Sequence, residues 1–295
     1  MKASSRKLLA LILVLVVGTI LGGCGGGSQN RELKLGNVGW DENQAVSYLT
    51  KVLLEDELAY ENVEVQTTDF SLVFEDVGNG NLGAFQDVWL PNDQQLLDEQ
   101  GDSVELLGDW FQGQTEFGIA VPSYVNITSL EELNESGIDV IYGIEPDVVI
   151  MERISDSVIP TYNLKQELME SSTQDMLAEV DNHYKNGEAF AFIGWSPHWM
   201  NQYYDFRLLE DPQDALGELN DPARISTVVN SDLPDDDPVA YAFLGALTLT
   251  EEQVNDLEDT INKVGDPLEG ARNWAQNNPD VVEPWIEAAQ NAQED

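Results

Sequence analysis

Three short apolar runs in this chain, LKLGNVGW, LGAFQDVW and AFAFIGW, each end on an indole: Trp40, Trp89 and Trp195. Runs of that length and composition read as buried strands, and helix or loop signals follow each of them. A chain that alternates buried strands with helices is confined to α/β architectures, in which the carboxyl edge of the strands is the edge that meets small molecules. Three indoles delivered to such an edge can form an aromatic cage. A cage of this kind suits a cation that carries methyl groups instead of N–H donors, because ring faces and apolar contact must then do the recognition.

The alternation is regular at the start. A strand is predicted over 33–38, then a helix capped by Asp41 with Ala45, Val46, Leu49, Val52 and Leu53 on one face. A second strand follows over 62–67, a short helix over 73–78 and a third strand over 83–89. This βαβαβ order predicts a largely parallel sheet with helices on its faces. The run at 117–122 reads as a crossover into a second lobe, with strands over 139–144 and 189–194 and a helix from about Asp147. The stretch 208–222 is acidic and irregular, 225–229 reads as the strand that returns to the first lobe, and three helical segments close the chain. The clearest covers 251–264, with Val254, Leu257, Ile261 and Val264 facing inward. The expected fold is therefore α/β and two-lobed, with a hinged cleft between a lobe of 33–118 plus 224–295 and a lobe of 119–223.

The first residues read as a targeting segment. Lys2, Arg6 and Lys7 precede an apolar stretch over 8–20, and Leu21-Gly22-Gly23-Cys24 has the form of a lipobox. On this reading 1–23 is a signal peptide and 24–32 a lipidated Cys24 with a flexible tether. The protein would then sit on the extracytoplasmic face of the membrane, in the periplasm or at the cell surface. Cys24 is the sole cysteine, which leaves no disulfide within one copy and no cysteine-based metal site or thiol nucleophile. No second apolar run of spanning length follows.

Charge narrows the partners. With 55 acidic and 13 basic residues the formal charge is −42, which repels nucleic acid and anionic lipid heads. The chain nevertheless keeps 42% hydrophobic residues and seven Trp, so a packed fold is expected rather than disorder. Adaptation to high salt explains the imbalance, since at about 1 M salt the Debye length is about 3 Å. Catalysis is not indicated: there is no GxSxG, no HExxH and no phosphate-cradling glycine loop after a strand. The acidic DLPDDDP at 232–238 lacks the glycine and terminal glutamate of a calcium loop and reads as a solvated loop. No cofactor or metal is expected.

Several separate stretches, GWDENQAVSYLTKVLLEDELAYENVEV, DVWLPN, IYGIEPDVVIM and GWSPHWM, resemble the motifs of glycine betaine-binding proteins of osmoprotectant ABC importers. The resemblance covers nearly the whole chain after the tether. It implies a type II periplasmic-binding-protein fold and capture of a methylated ammonium solute for an ABC permease and its ATPase. It places the aromatic box on Trp40, Trp89 and Trp195, and it places the solute carboxylate on the backbone N–H groups of Gly143 and Ile144. The family often carries a histidine five residues after the second tryptophan; here that position is Gln94, an uncharged donor. The exact solute therefore stays open among glycine betaine, choline, carnitine, proline betaine and dimethylsulfoniopropionate, as does a role in sensing rather than import. His198 is expected to hold the loop after Trp195, His183 to lie on a solvated helix, and Trp110, Trp199, Trp274 and Trp285 to pack in the core.

Overall fold

The computed structural model describes residues 31–294; the expected signal peptide and Cys24 lie outside that range. Two five-stranded sheets organise the chain. In the first, Glu32–Asn37 lies parallel to Asn62–Thr67 on one side and to Ala84–Leu90 on the other. Arg224–Asn230 then runs antiparallel between Ala84–Leu90 and Val104–Asp109. Every residue of AFQDVWL (Ala84–Leu90) is buried, as a central strand covered on both faces requires. Glu32–Asn37 begins by alternating, with Leu33 and Leu35 inward and Glu32 and Lys34 outward.

In the second sheet, Glu116–Pro122 lies between Phe206–Leu208 and Ala191–Ser196, antiparallel to both. Val140–Tyr142 continues the sheet, parallel to Ala191–Ser196 and to Glu167–Met169. The chain enters this sheet after Val104–Asp109 and leaves it before Arg224–Asn230. The run expected as a crossover at 117–122 is thus a strand of the second sheet. Ile119 pairs with Ile193 and Gly118 with Gly194, so this apolar stretch has a hydrogen-bonded neighbour on each side.

Helix Asp41–Glu57 buries Ala45, Val46, Leu49, Val52 and Leu53, the face its periodicity predicts. Its cap differs from expectation. Trp40 occupies the N-cap position without a side-chain bond, and Asp41 is the first helical residue. The Asp41 carboxylate is drawn away by long-range partners described below. Helix Glu251–Val264 opens with a capping box between Thr250 and Gln253 and ends at Gly265, whose φ of +75° suits glycine. Val254, Leu257 and Ile261 are inward, whereas Val264, in the last turn, is exposed. Asp232–Pro238 is a short helix, Leu233–Asp236, followed by Asp237, which caps Pro238–Ala246 by accepting the Ala240 N–H. Trp110, Trp274 and Trp285 are core residues, while Trp199 is only partly buried. No described helix is long and apolar enough to cross a membrane.

Candidate functional site

One cavity brings Trp40, Trp89 and Trp195 together. Trp40 comes from the turn after the first strand, Trp89 is the penultimate residue of Ala84–Leu90, and Trp195 is the penultimate residue of Ala191–Ser196. Trp89 therefore lies within its strand, as expected, and Trp195 belongs to its strand instead of following it. Trp89 pairs with Ile225 and Trp195 with Phe117 across the adjacent strands. Phe117 was not anticipated. Its ring lies 6.0 Å from that of Trp89 and 6.3 Å from that of Trp195, and it lines the same cavity as a fourth aromatic wall. The signal that could have found it is the register of a strand not recognised as one.

Each of these three indoles has its N–H engaged by a carboxyl group. Trp40 Nε1 donates to Glu145 Oε2 at 3.1 Å, Trp89 Nε1 to Asp87 Oδ1 at 3.0 Å and Trp195 Nε1 to Glu42 Oε1 at 3.2 Å. With its polar edge satisfied, an indole presents its ring face, the part that attracts a cation. Phe70 packs against Trp40 with ring centres 5.2 Å apart.

Acidic groups also line the cavity. Glu42 is 1% exposed and its Oε2 has no hydrogen-bond partner among the described residues. Burial holds its carboxyl well above the usual range, and the nearby Asp87 adds to the rise. Burial likewise raises Asp87, against the opposing bond from Trp89, and Asp93, which is pushed up to about 7 although it accepts the Trp89 N–H at 2.7 Å. Glu258 is raised by burial and by the charges of Glu42 and Asp41. Asp41 goes the other way: burial pulls it upward, but contacts with His198 and Trp199 hold it below its ordinary value. It accepts from Trp199 Nε1 at 2.5 Å, and His198 Nε2 lies 3.1 Å away, off the hydrogen-bond direction. His198 is buried and takes the Met200 N–H on Nδ1, which fixes the turn after Trp195. His183 lies on helix Thr173–Asn186, half buried, between the Tyr142 hydroxyl and Glu188.

Ile144, Val148, Val149 and Ile150 also line the cavity. Gly143 lies deeper. Its N–H donates to Met169 O at 2.8 Å, so this amide is already used by the neighbouring strand. A Cβ here would stand 2.3 Å from Met151 Cε and 3.0 Å from Met169 O, which requires glycine. Ile144 lines the cavity, and its N–H has no acceptor among the described residues. Gln94 departs most from expectation. Its side chain is exposed and donates to Asp98 at 2.9 Å, one helical turn along Gln94–Gln100. Asn92 and Asp93, just before that helix, line the cavity in its place.

Among the described residues no basic side chain lines this space, and no group of three or more His, Cys, Asp or Glu is placed to hold a metal ion. The chemistry suits a desolvated cation with apolar substituents.

Two sheets joined by paired crossovers, with an aromatic cavity walled from both, define the class: a solute-binding protein of the periplasmic-binding-protein fold. Comparison with known proteins agrees. The family described as OpuAC, the substrate-binding domain of ABC-type glycine betaine transport systems, matches residues 31–277, and the chain belongs to that family. It is a family of transport binding proteins rather than enzymes. The chain is similar to the glycine betaine/carnitine transport binding protein GbuC of Listeria monocytogenes, 31% identical over 158 residues. That match covers 52% of this chain and spans about half, 51%, of the relative's length. Its fold is similar to lactococcal OpuAC in a closed-liganded conformation with glycine betaine, with a TM-score of 0.77 and 28% identity over 87% of this chain and 99% of that one. It is also similar to the glycine betaine/L-proline-binding protein ProX of Borrelia burgdorferi, with a TM-score of 0.79 and 25% identity over 89% and 100% of the two chains.

Proposed function

We propose that this protein captures glycine betaine, or a close methylated ammonium relative, outside the cytoplasm and delivers it to an ABC permease for osmoprotection. The observation that carries the reading is the convergence of Trp40, Trp89, Trp195 and Phe117 on one cavity that also holds the Glu42 carboxyl. The rings surround the ammonium head, each cation–π contact contributing about 0.5–2 kcal/mol. The Ile144 amide, five residues before the helical run at 149–162, offers an N–H donor to a carboxylate. Lobe closure over the solute and a lipid anchor at Cys24 complete the proposal.

A second solute is favoured by a specific feature. Glu42 and Asp93 put two acidic groups on the cavity wall, and Gln94 points away from it. A cation bound beside them draws both carboxyls toward ionisation, so the arrangement favours a net cation such as choline over a zwitterion.

Isothermal titration of the domain in molar salt, with glycine betaine and with choline, tests both readings beside Trp195→Ala. Binding is expected to weaken about thirtyfold in the variant, equivalent to about 2 kcal/mol. The ratio of the two affinities assigns the solute. If the folded protein takes up neither compound, the cage reading fails.

A further inference from the structure

Trp40 and Glu145 are 105 residues apart, one at the turn leaving the first sheet and the other at the turn leaving the Val140–Tyr142 strand of the second. Trp195 and Glu42 make the reciprocal link, the indole now from the second sheet and the carboxyl from the helix that follows Trp40. Trp89, by contrast, is held by Asp87 of its own strand. Two of the three cage indoles are thus anchored by the opposite half of the molecule.

Glu145 is the better fixed of the two cross-cleft acceptors. Its Oε1 takes the Thr173 N–H at 2.8 Å and its Oε2 the Thr173 hydroxyl at 2.8 Å, at the first residue of helix Thr173–Asn186. Those bonds pin the carboxylate on a helix start, where negative charge is favourable, and leave Oε2 to receive the indole as well. The bond to Glu145 is the polar contact that orients the buried Trp40 indole, which makes no cap bond and packs on Phe70 from its own side. Glu145 also directly follows Ile144, which lines the cavity.

We infer that Glu145 is a positioning residue for solute capture, holding the Trp40 indole from across the cleft so that this cage wall is completed by the meeting of the two halves. The inference rests on the cage reading above. It makes the wall that meets the cation and the turn that offers the Ile144 amide parts of one rigid connection.

The test compares wild type, Glu145→Gln and Glu145→Ala by calorimetry with glycine betaine and choline. The Trp40 indole N–H resonance is followed in solute-saturated protein and assigned with Trp40→Phe. Glu145→Ala is expected to lose about tenfold in affinity for both solutes, the size of one charge-assisted hydrogen bond. Its Trp40 resonance should move upfield. Glu145→Gln keeps an oxygen acceptor and should stay within about threefold of wild type. In the Trp40→Phe background, which lacks the donor, Glu145→Ala should have no further effect on affinity. Wild-type affinity in a folded Glu145→Ala protein overturns the inference. So do equal losses in Gln and Ala, which would assign the effect to charge at the helix start. Should the Ala variant not fold, the Glu145→Gln resonance and affinity decide: an unmoved resonance with a full loss of affinity also overturns it. Wild-type protein that binds neither solute brings down the cage reading and this inference with it; intact binding with an insensitive Glu145→Ala brings down this inference alone.

Discussion

The indole wall and the amide wall of the cavity are built in opposite ways. On the indole side each of the three indoles is pinned at its N–H by a carboxyl group, and the acceptors themselves are buried or doubly bonded. On the amide side one of the two expected donors, Gly143, is committed to Met169, and the expected side-chain donor, Gln94, faces solvent. On the proposed function, recognition of a methylated cation is thus strongly pre-organised, while recognition of an anion rests on fewer groups. Preorganisation reduces the ordering cost of binding, so the cationic end should dominate affinity and the other end should set preference among solutes.

Three experiments would break or sharpen this contrast. The largest effect on solute binding is expected from Gly143→Ala. The added Cβ collides with Met151 Cε, and overpacking of this kind costs about 1–3 kcal/mol. A lowered melting temperature is expected, with glycine betaine affinity falling more than that of choline. Equal losses for both would show that the walls are not separable.

Next is Asp93→Asn. The folded carboxyl titrates near 7, above the ordinary value of 3.8. The folded state therefore holds a proton that the unfolded chain has released between these values. The stability this confers is complete below about pH 3.8 and is lost as pH rises through about 7, at up to about 1.4 kcal/mol per pH unit. Chemical denaturation from pH 4 to 8 should show a shallower slope in the variant; an unchanged slope would remove Asp93 from the titration. Glu42, Asp87 and Glu258, all raised, slope the same way and remain in the variant.

The smallest effect belongs to Gln94→Ala. An exposed side chain bonded only to Asp98 should change stability by less than about 0.5 kcal/mol and solute affinity by less than about twofold. A tenfold loss would place Gln94 in the cavity in solution and weaken the contrast.

Local patterns were readable where local forces decide. The strand Asn62–Thr67 and the helix Glu251–Val264 have the limits their periodicity predicts. The capping of Pro238–Ala246 by Asp237 was present in the sequence as Asp-Pro, but an acidic run disguised it as a loop. Asp41 was misread for a different reason. Its carboxylate is claimed by Trp199 and His198, some 158 residues away for the indole, and no window around Asp41 contains that information. The same limit hid Phe117 and Glu145. Three indoles could be picked out because strand signals precede them, whereas a fourth ring and the cross-cleft acceptors depend on which strands become neighbours. Gln94 was placed by motif spacing alone, and one turn of helix carries its side chain off the cavity.

The pairing of Phe117 with Trp195 has a consequence for how this protein can change over time. Side chains alternate faces along a strand, so one added or lost residue beside either partner turns a ring out of the cavity and its neighbour in. Gly118 and Gly194, opposite each other, would then be the residues presented. Length variation in descendants of this chain is therefore confined to the connections outside Glu116–Pro122 and Ala191–Ser196, and new solute preferences must arise there by substitution, at fixed register.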